Sequence, residues 1–329
     1  MGMVINGQWT SEDNLTVDGR YVRPSSVQGG DIDDAIVASM ASEAGRFHLV
    51  ASASCQWSHR CLIAHALKGL ASHIPLHLTH GERVEGYAMN NGRRWTVPGT
   101  SQNILHLHQL YCLGDPDYTG RSTVPVLWDS MERRIVSNDS EAIFDAFDAL
   151  SSPALDPTFR LSGAPPESAD KALLAEIYNG VSNGVYQAGF ATTQAAYDEA
   201  VEQVFSTLDA FENILSERRY LKGFTVSKAD WFLFPTLVRF DAVYHVLHRC
   251  CRRRLVDYPN LWAYARDLYS WPGVSDTVDF AAIRDASYRN DCAGNPHRIV
   301  AIAPDADWQK PHDRDRLSAA RVEGMHGHE

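Results

Sequence analysis

The stretch SASCQWSHRC, residues 52–61, sets Cys55 after a run of small residues and at the expected start of a helix. Unpaired backbone N–H groups and the positive end of the helix dipole favour thiolate over thiol at such a position, which is what a nucleophile needs. Ser58 stands three residues on, where a redox pair would carry its second cysteine. A mixed disulfide on Cys55 then has to be cleared by a second, external thiol, the logic of a monothiol enzyme. Taken alone, the stretch leaves another reading open, a small buried side chain at a helix start, because cysteine is among the most buried residue types. Cys61 falls on the helix body and reads as core. Trp57, His59 and Arg60 lie on the first turns, where His59 or Arg60 can either steady a thiolate or simply pack.

Two further patterns carry chemistry. In Thr123-Val124-Pro125-Val126 a proline interrupts an apparent strand, so it belongs at an edge or an irregularity, and X-Pro is the one place where a cis peptide is cheap. A cis bond would turn the Val124 backbone N–H and C=O toward a ligand; an ordinary edge proline would not. In SNDS, 137–140, Asp139 and Ser140 open a helix. They are good caps, and they can also hold the ammonium and carboxylate of an α-amino acid headgroup.

The elements that must position these groups follow from periodicity. HLVAS (48–52) reads as a buried strand, 57–71 as a helix and IPLHLTH (74–80) as a second strand, a β-α-β unit with parallel strands. Residues 81–119 read as a long loop with a short helix around 101–111, a length that points to function or disorder. STVPVLWD (122–129) and RRIVSN (133–138) read as a strand pair, followed by a helix over 139–150. Beyond a Pro/Ser/Gly-rich linker at 151–168, helical patterns run over about 169–183, 194–217, 228–248 and 260–271. TVSKAD places Ser227 three residues before Asp230, a capping box that reads as a folding determinant. The expected domains are an N-terminal extension (1–45), an α/β unit (46–150), the linker (151–168), an all-α unit (169–300) and a tail (301–329).

The chain of 329 residues is 44% hydrophobic and 22% charged, with a formal net charge of -11. That charge argues against a nucleic-acid or anionic-membrane partner, since such surfaces need a basic excess. The start lacks the basic and apolar regions of a signal peptide, and no apolar run is long enough to span a bilayer, so a cytoplasmic protein is expected. The six cysteines show no CxxC pair and are expected to be thiols; adjacent Cys250 and Cys251 in HRCCRRR make a poor zinc signature, and no metal site is expected. The run 248–254 reads either as a basic loop lining an anionic substrate path or as a solvated face.

Cysteine at the helix start, the VP edge strand, the acidic-Ser pair, the linker and the S-x-x-D cap together resemble a glutathione transferase fold, a thioredoxin-like N-terminal domain with an all-α C-terminal domain. The finer resemblance, over roughly residues 45–300, is to the glutathionyl-hydroquinone reductases, the Xi-class transferases. It rests on DPDYTGRSTVPVLWD (115–129), SNGVYQAGFATTQAAYDEAV (182–201), LVRFDAVY (237–244) and DYPNLWAYARDLY (257–269). The resemblance implies Cys55 as nucleophile, glutathione as co-substrate, an aromatic quinol thioether as substrate and a homodimer. It also implies thiol binding by Trp95, Arg121, Val124, Asp139 and Ser140. Tyr186, Tyr244 and Tyr288 match tyrosines facing the aromatic substrate, whose hydroxyls can assist proton delivery; without the resemblance, Tyr186 and Tyr244 read as core aromatics. SYRNDCAGNPHRIV, around Tyr288, has drifted from the family text.

Three departures stand out. The family's C-P-W-A is Cys55-Gln56-Trp57-Ser58 here, Asp139 replaces the usual Glu and is one methylene shorter, and HRCCRRR differs from the family text. Gln56 forgoes the pre-set φ of proline but restores an N–H beside the thiolate. The expected activity is removal of glutathione from glutathionyl-hydroquinones through a Cys55 mixed disulfide. The alternatives are a related reductase or deglutathionylase using another low-molecular-weight thiol, and a non-catalytic binding protein with the same fold.

Overall fold

The computed structural model describes residues 2–11, 16–23, 28–150, 160–163, 168–290 and 294–318. Most of the expected 151–168 linker, Cys292 and the end of the tail lie outside the described residues. The chain divides into two compact units, one from residues 1–15, 23–159 and 281–292, the other from 16–22, 160–280 and 293–329.

The chain opens with two short hairpins, β1 (Met3–Ile5) with β2 (Gln8–Thr10) and β3 (Thr16–Val17) with β4 (Arg20–Tyr21), followed by helix α1 (Asp34–Ser42). The 1–45 segment is therefore more than a surface extension. Val4 and Met40 are fully buried, and Asp33 caps α1 by accepting from the Ile36 N–H at 2.9 Å. Each piece turns few apolar residues inward, too few for a periodic signal to rise above the polar text.

The first unit continues with β5 (Phe47–Ala51), α2 (Gln56–Leu67), β6 (Leu76–Leu78), β7 (Trp95–Thr96), β8 (Asn103–Ile104), α3 (Leu107–Gly114), β9 (Val126–Asp129), β10 (Arg134–Ser137) and α4 (Ser140–Ala149). Its four-stranded sheet has the order β10-β9-β5-β6. β5 and β6 are parallel, joined through α2, while β9 runs antiparallel to both β5 and β10. All five residues of FHLVA in β5 are buried, as an apolar central strand requires. The expected loop over 81–119 holds the β7-β8 pair and α3, whose helix begins at Leu107, later than the spacing suggests. Asp129, at the end of β9, ties that strand to the start of β5 through Arg46, at 2.6 Å from Nη2. Burial alone would raise the Asp129 pKa, but the Arg46 guanidinium and the Glu132 and Met131 amides hold it below the usual range.

The second unit is helical: α5 (Ser168–Glu176) running into a π-helical turn (Ile177–Ser182), α6 (Gly184–Phe190), α7 (Gln194–Glu217), α8 (Lys228–Arg239) running into a π-helical turn (Phe240–Tyr244), and α9 (Pro259–Tyr269). A last helix, α10 (Phe280–Asn290), returns to the first unit. The tail packs on α7 and α9. Trp308 meets Trp262 edge to face with ring centroids 4.7 Å apart, and the fully buried Arg314 donates to the carbonyls of Leu215 (3.0 Å), Arg218 and Arg219 (2.8 Å). A cation thereby meets the carbonyls that the end of α7 leaves open. Arg314→Ala is expected to lower the unfolding free energy by about 2–4 kcal/mol, because buried carbonyls lose their donor; urea denaturation measures it.

Candidate active site

Cys55 is the N-cap residue of α2, 8% exposed. The Ser58 N–H points at its sulfur at 3.5 Å, and the sulfur lies 3.7 Å from the Val124 carbonyl. The Val124-Pro125 bond is cis, and Pro125 stands immediately before β9, an interior strand, where a missing N–H costs the ladder nothing, rather than on an edge strand as the sequence suggests. Ser58 is fully buried, and its hydroxyl accepts from the Ser52 N–H at 3.3 Å, while the Ser52 carbonyl accepts from the Cys55 N–H at 3.1 Å. The position where a resolving cysteine would sit thus braces the loop that carries the thiol. Cys61 is completely buried, and burial pushes its thiol well above the ordinary range, which leaves it as core.

The next turn is held by cations on an indole. Arg60 lies 4.4 Å from the Trp57 ring and Arg23, from the N-terminal segment, 4.6 Å from it. Burial lowers the Arg60 pKa to about 10, with Glu141, Cys61 and Asp139 acting in the opposite sense. Arg60 therefore packs on Trp57, and His59 is fully buried. Trp95 is half-buried against the core cluster that includes Cys55 and Val124, and meets His77 edge-on at 5.0 Å. His77 in turn lies 3.1 Å from His48, nitrogen to nitrogen.

Asp139 is the N-cap of α4. Its Oδ1 accepts from the Glu141 and Ala142 N–H groups at 2.8 and 2.9 Å, so one carboxylate oxygen is committed to the helix. Ser140 is the first residue of α4, half-buried, and its carbonyl accepts from the Cys61 thiol at 3.5 Å. Arg121 is half-buried, its carbonyl accepting from the Tyr118 hydroxyl at 2.8 Å. The first unit thus contains Cys55, Trp95, Arg121, Val124, Asp139 and Ser140. Tyr288 belongs to it as well, on α10, 3% exposed, with burial raising its pKa.

Tyr186 and Tyr244 lie in the second unit with ring centroids 5.8 Å apart. Sequence reasoning missed their common neighbour, His248, whose ring is 5.2 and 5.1 Å from theirs. A β-carbon added at Gly189 would sit 2.4 Å from His248 Cγ, so glycine is what lets the imidazole in. Nδ1 lies 2.8 Å from the Val185 carbonyl, and burial lowers the pKa to about 4. The folded state therefore holds His248 neutral, with Nδ1–H donating. A depressed histidine pKa contributes stability that is present above pH 6.5 and lost as pH falls toward 4. Wild type is expected to lose on the order of 3 kcal/mol across that window through this group, and His248→Gln to flatten the loss in pH-resolved denaturation.

The arginines of the 248–254 run meet groups of their own unit. Arg249 donates to the Gly189 carbonyl at 2.9 Å, Arg252 pairs with Glu202, Arg253 stacks on Tyr258 at 4.5 Å and Arg254 pairs with Asp257. Cys250 is buried and its pKa pushed up to about 12. These four arginines are exposed, with their charge directed to groups of their own unit.

A cleft of about 370 Å³ adjoins the Cys55 loop, lined by Ser52, Ser54, Thr79, Arg83, Asn91 and α10 among others. Among the described residues, no group of three His, Cys, Asp or Glu could hold a metal, and no helix is long and apolar enough to cross a membrane. A thiol capping a helix without a second cysteine in the resolving position can form a mixed disulfide and release it to an external thiol.

Residues 54–150 match the family "Glutathione S-transferase, N-terminal domain" and residues 194–267 the family "Glutathione S-transferase, C-terminal domain". The chain is 40% identical to the glutathionyl-hydroquinone reductase YqjG of Escherichia coli, over 96% of this chain and 99% of that one. It is 39% identical to the glutathionyl-hydroquinone reductase PcpF of Sphingobium chlorophenolicum, over 92% and 96%. Among solved structures, a Xi-class transferase from Natrialba magadii superposes with a TM-score of 0.84 at 37% identity, covering 97% of this chain and 98% of that chain. Glutathione-bound YqjG superposes with a TM-score of 0.76 at 41% identity, covering 83% and 89%. The thioredoxin-like sheet, the helical unit and these likenesses agree: the chain belongs to the glutathionyl-hydroquinone reductases, the Xi class of the glutathione transferases.

Proposed function

We propose that this protein removes glutathione from glutathionyl-hydroquinones, with Cys55 as nucleophile. The Cys55 thiolate attacks the glutathionyl sulfur, an S–S bond forms, and the aryl C–S bond breaks. Its electron pair goes to the ring carbon, which takes a proton to give the hydroquinone. The thiolate of a second glutathione then attacks the glutathionyl sulfur, forming oxidised glutathione and returning the Cys55 thiolate. Over the cycle one glutathione thiol and the thioether sulfur are oxidised to the disulfide, and the ring carbon is reduced by the same two electrons. Trp95, Arg121, Val124, Asp139 and Ser140 bind the thiol in this reading, and Tyr186, Tyr244 and Tyr288 face the quinol and assist the proton.

The observation that carries the reading is the capping geometry of Cys55, with the Ser58 N–H on the sulfur and the Val124 carbonyl opposite. A helix start with serine in the resolving position suits a thiol that waits for a second glutathione. Free cysteines suit a reducing compartment, which supports a cytoplasmic location, and family membership supports a homodimer. Purified protein supplied with a glutathionyl-hydroquinone and glutathione is expected to release the hydroquinone, followed by chromatography. No release overturns the reading.

A second reading rests on Asp139, which is shorter than the family's glutamate and spends one oxygen on its own helix. It holds that another low-molecular-weight thiol is the preferred co-substrate. A panel of thiols at fixed hydroquinone thioether decides: a preference for glutathione sinks it.

A further inference from the structure

We propose that Arg23, in the N-terminal segment, binds the α-carboxylate of the γ-glutamyl group of glutathione and so shares the headgroup of the thiol with Asp139 and Ser140. The inference rests on glutathione as the thiol of the reaction proposed above, and it adds one binding residue to that site.

Arg23 reaches the site through contacts within the first unit. Its guanidinium lies 4.6 Å from the ring of Trp57, which follows Cys55 on the first turn of α2. One turn further along α2, the Cys61 thiol donates to the Ser140 carbonyl at 3.5 Å, which seats the start of α4 beside the same helix. The N-terminal segment comes to that start independently. The Gln28 N–H donates to Asn138 Oδ1 at 2.7 Å, the Asn138 N–H to the Gln28 carbonyl at 3.2 Å and the Gly30 N–H to the Val136 carbonyl at 3.2 Å. The chain just after Arg23 therefore runs along the residues that lead into Asp139. Arg60, stacked on the same indole, is within electrostatic reach of both Arg23 and Asp139.

Three groups there are available to a ligand. Arg23 is half-buried, and among the described residues its guanidinium meets the Trp57 ring but makes no hydrogen bond or ion pair. A guanidinium held over a ring by its face keeps its N–H edge for an anion. Asp139 commits Oδ1 to the Glu141 and Ala142 N–H groups, whereas its Oδ2 and the Ser140 hydroxyl carry no hydrogen bond among the described residues. Arg23 and Asp139 are opposite in charge and do not pair with each other. A cation, a carboxylate oxygen and a hydroxyl around one helix start match a carboxylate and an ammonium on one carbon. Of the two carboxylates of glutathione, only the γ-glutamyl one has an ammonium beside it.

The test uses the full chain and a ligand that cannot react, S-methylglutathione, in titration calorimetry. Arg23→Met keeps an unbranched stem on the indole and is expected to weaken binding about tenfold, with Arg23→Lys restoring part of it. A second ligand, the S-methyl form of 4-aminobutanoyl-cysteinylglycine, lacks only the α-carboxylate. It is expected to bind wild type about tenfold more weakly than S-methylglutathione does, and to bind wild type and Arg23→Met alike. In turnover, Arg23→Met is expected to raise KM for glutathione by a similar factor with kcat little changed. An equal loss with both ligands overturns the proposal, because Arg23 then acts only by packing on Trp57. So does an effect of Arg23→Met that vanishes with S-methyl-γ-glutamylcysteine, which would assign the cation to the glycine carboxylate. Unchanged binding in Arg23→Met, or no binding of S-methylglutathione by wild type, overturns it too. If wild type releases no hydroquinone while the calorimetry follows the expected pattern, the reaction reading fails and the Arg23 assignment stands.

Discussion

Cys55→Ser is expected to lower glutathione-dependent hydroquinone release by on the order of 10³-fold or more, because a serine hydroxyl at neutral pH cannot replace a thiolate in attack on sulfur. Intact-mass measurement should find one glutathionyl group on wild type after a single turnover without excess thiol, and none on the variant. The two readouts are separate. Lost turnover with the adduct still present on the variant would place the mixed disulfide on another cysteine. Full turnover in Cys55→Ser would remove Cys55 from the reaction. Cys61 is a poor substitute nucleophile, since it is completely buried, its pKa is raised, and its hydrogen bond goes to the Ser140 carbonyl.

Asp230→Ala is expected to cost about 3–5 kcal/mol of unfolding free energy, more than the loss expected of Arg314→Ala. The carboxylate is fully buried. One oxygen accepts from the Ser227 N–H and hydroxyl, both at 2.7 Å, and the other from the Leu221 N–H at 3.0 Å and the Tyr264 hydroxyl at 2.8 Å. Alanine would strand four buried donors at once. Urea denaturation of the variant against wild type measures the loss; a change below about 1 kcal/mol would show that water or a shifted loop replaces the acceptor. The spacing of Ser227 and Asp230 predicts the cap, whereas the bonds to Leu221 and Tyr264, which account for half of those donors, come from chain segments brought there by folding.

The same division runs through the molecule. The apolar run FHLVA, the helix pattern after Cys55 and the 24-residue α7 are legible because burial on one period leaves a repeating mark in the text. The hairpins and helix of the first 45 residues are not legible, because each buries too little for a period to show. The run HRCCRRR leaves two readings open in the sequence for a related reason. Charge type is visible in sequence, but whether a cation faces a ligand, a carboxylate or a helix end depends on what the fold sets opposite it.

By itself the sequence determined the chemistry on offer: one thiol at a helix start, serine in the resolving position, a proline at the start of a strand and an acidic cap. These are local matters, set by residue type and by spacing within a turn or two. Only the tertiary structure decided what each group meets. It brought the Val124 carbonyl to the Cys55 sulfur from 69 residues away, placed His248 between two tyrosines through a gap that Gly189 leaves, and set Arg83 against Ser54. Such contacts join segments far apart in the chain, and packing of the whole unit, not the preference of any one segment, selects them.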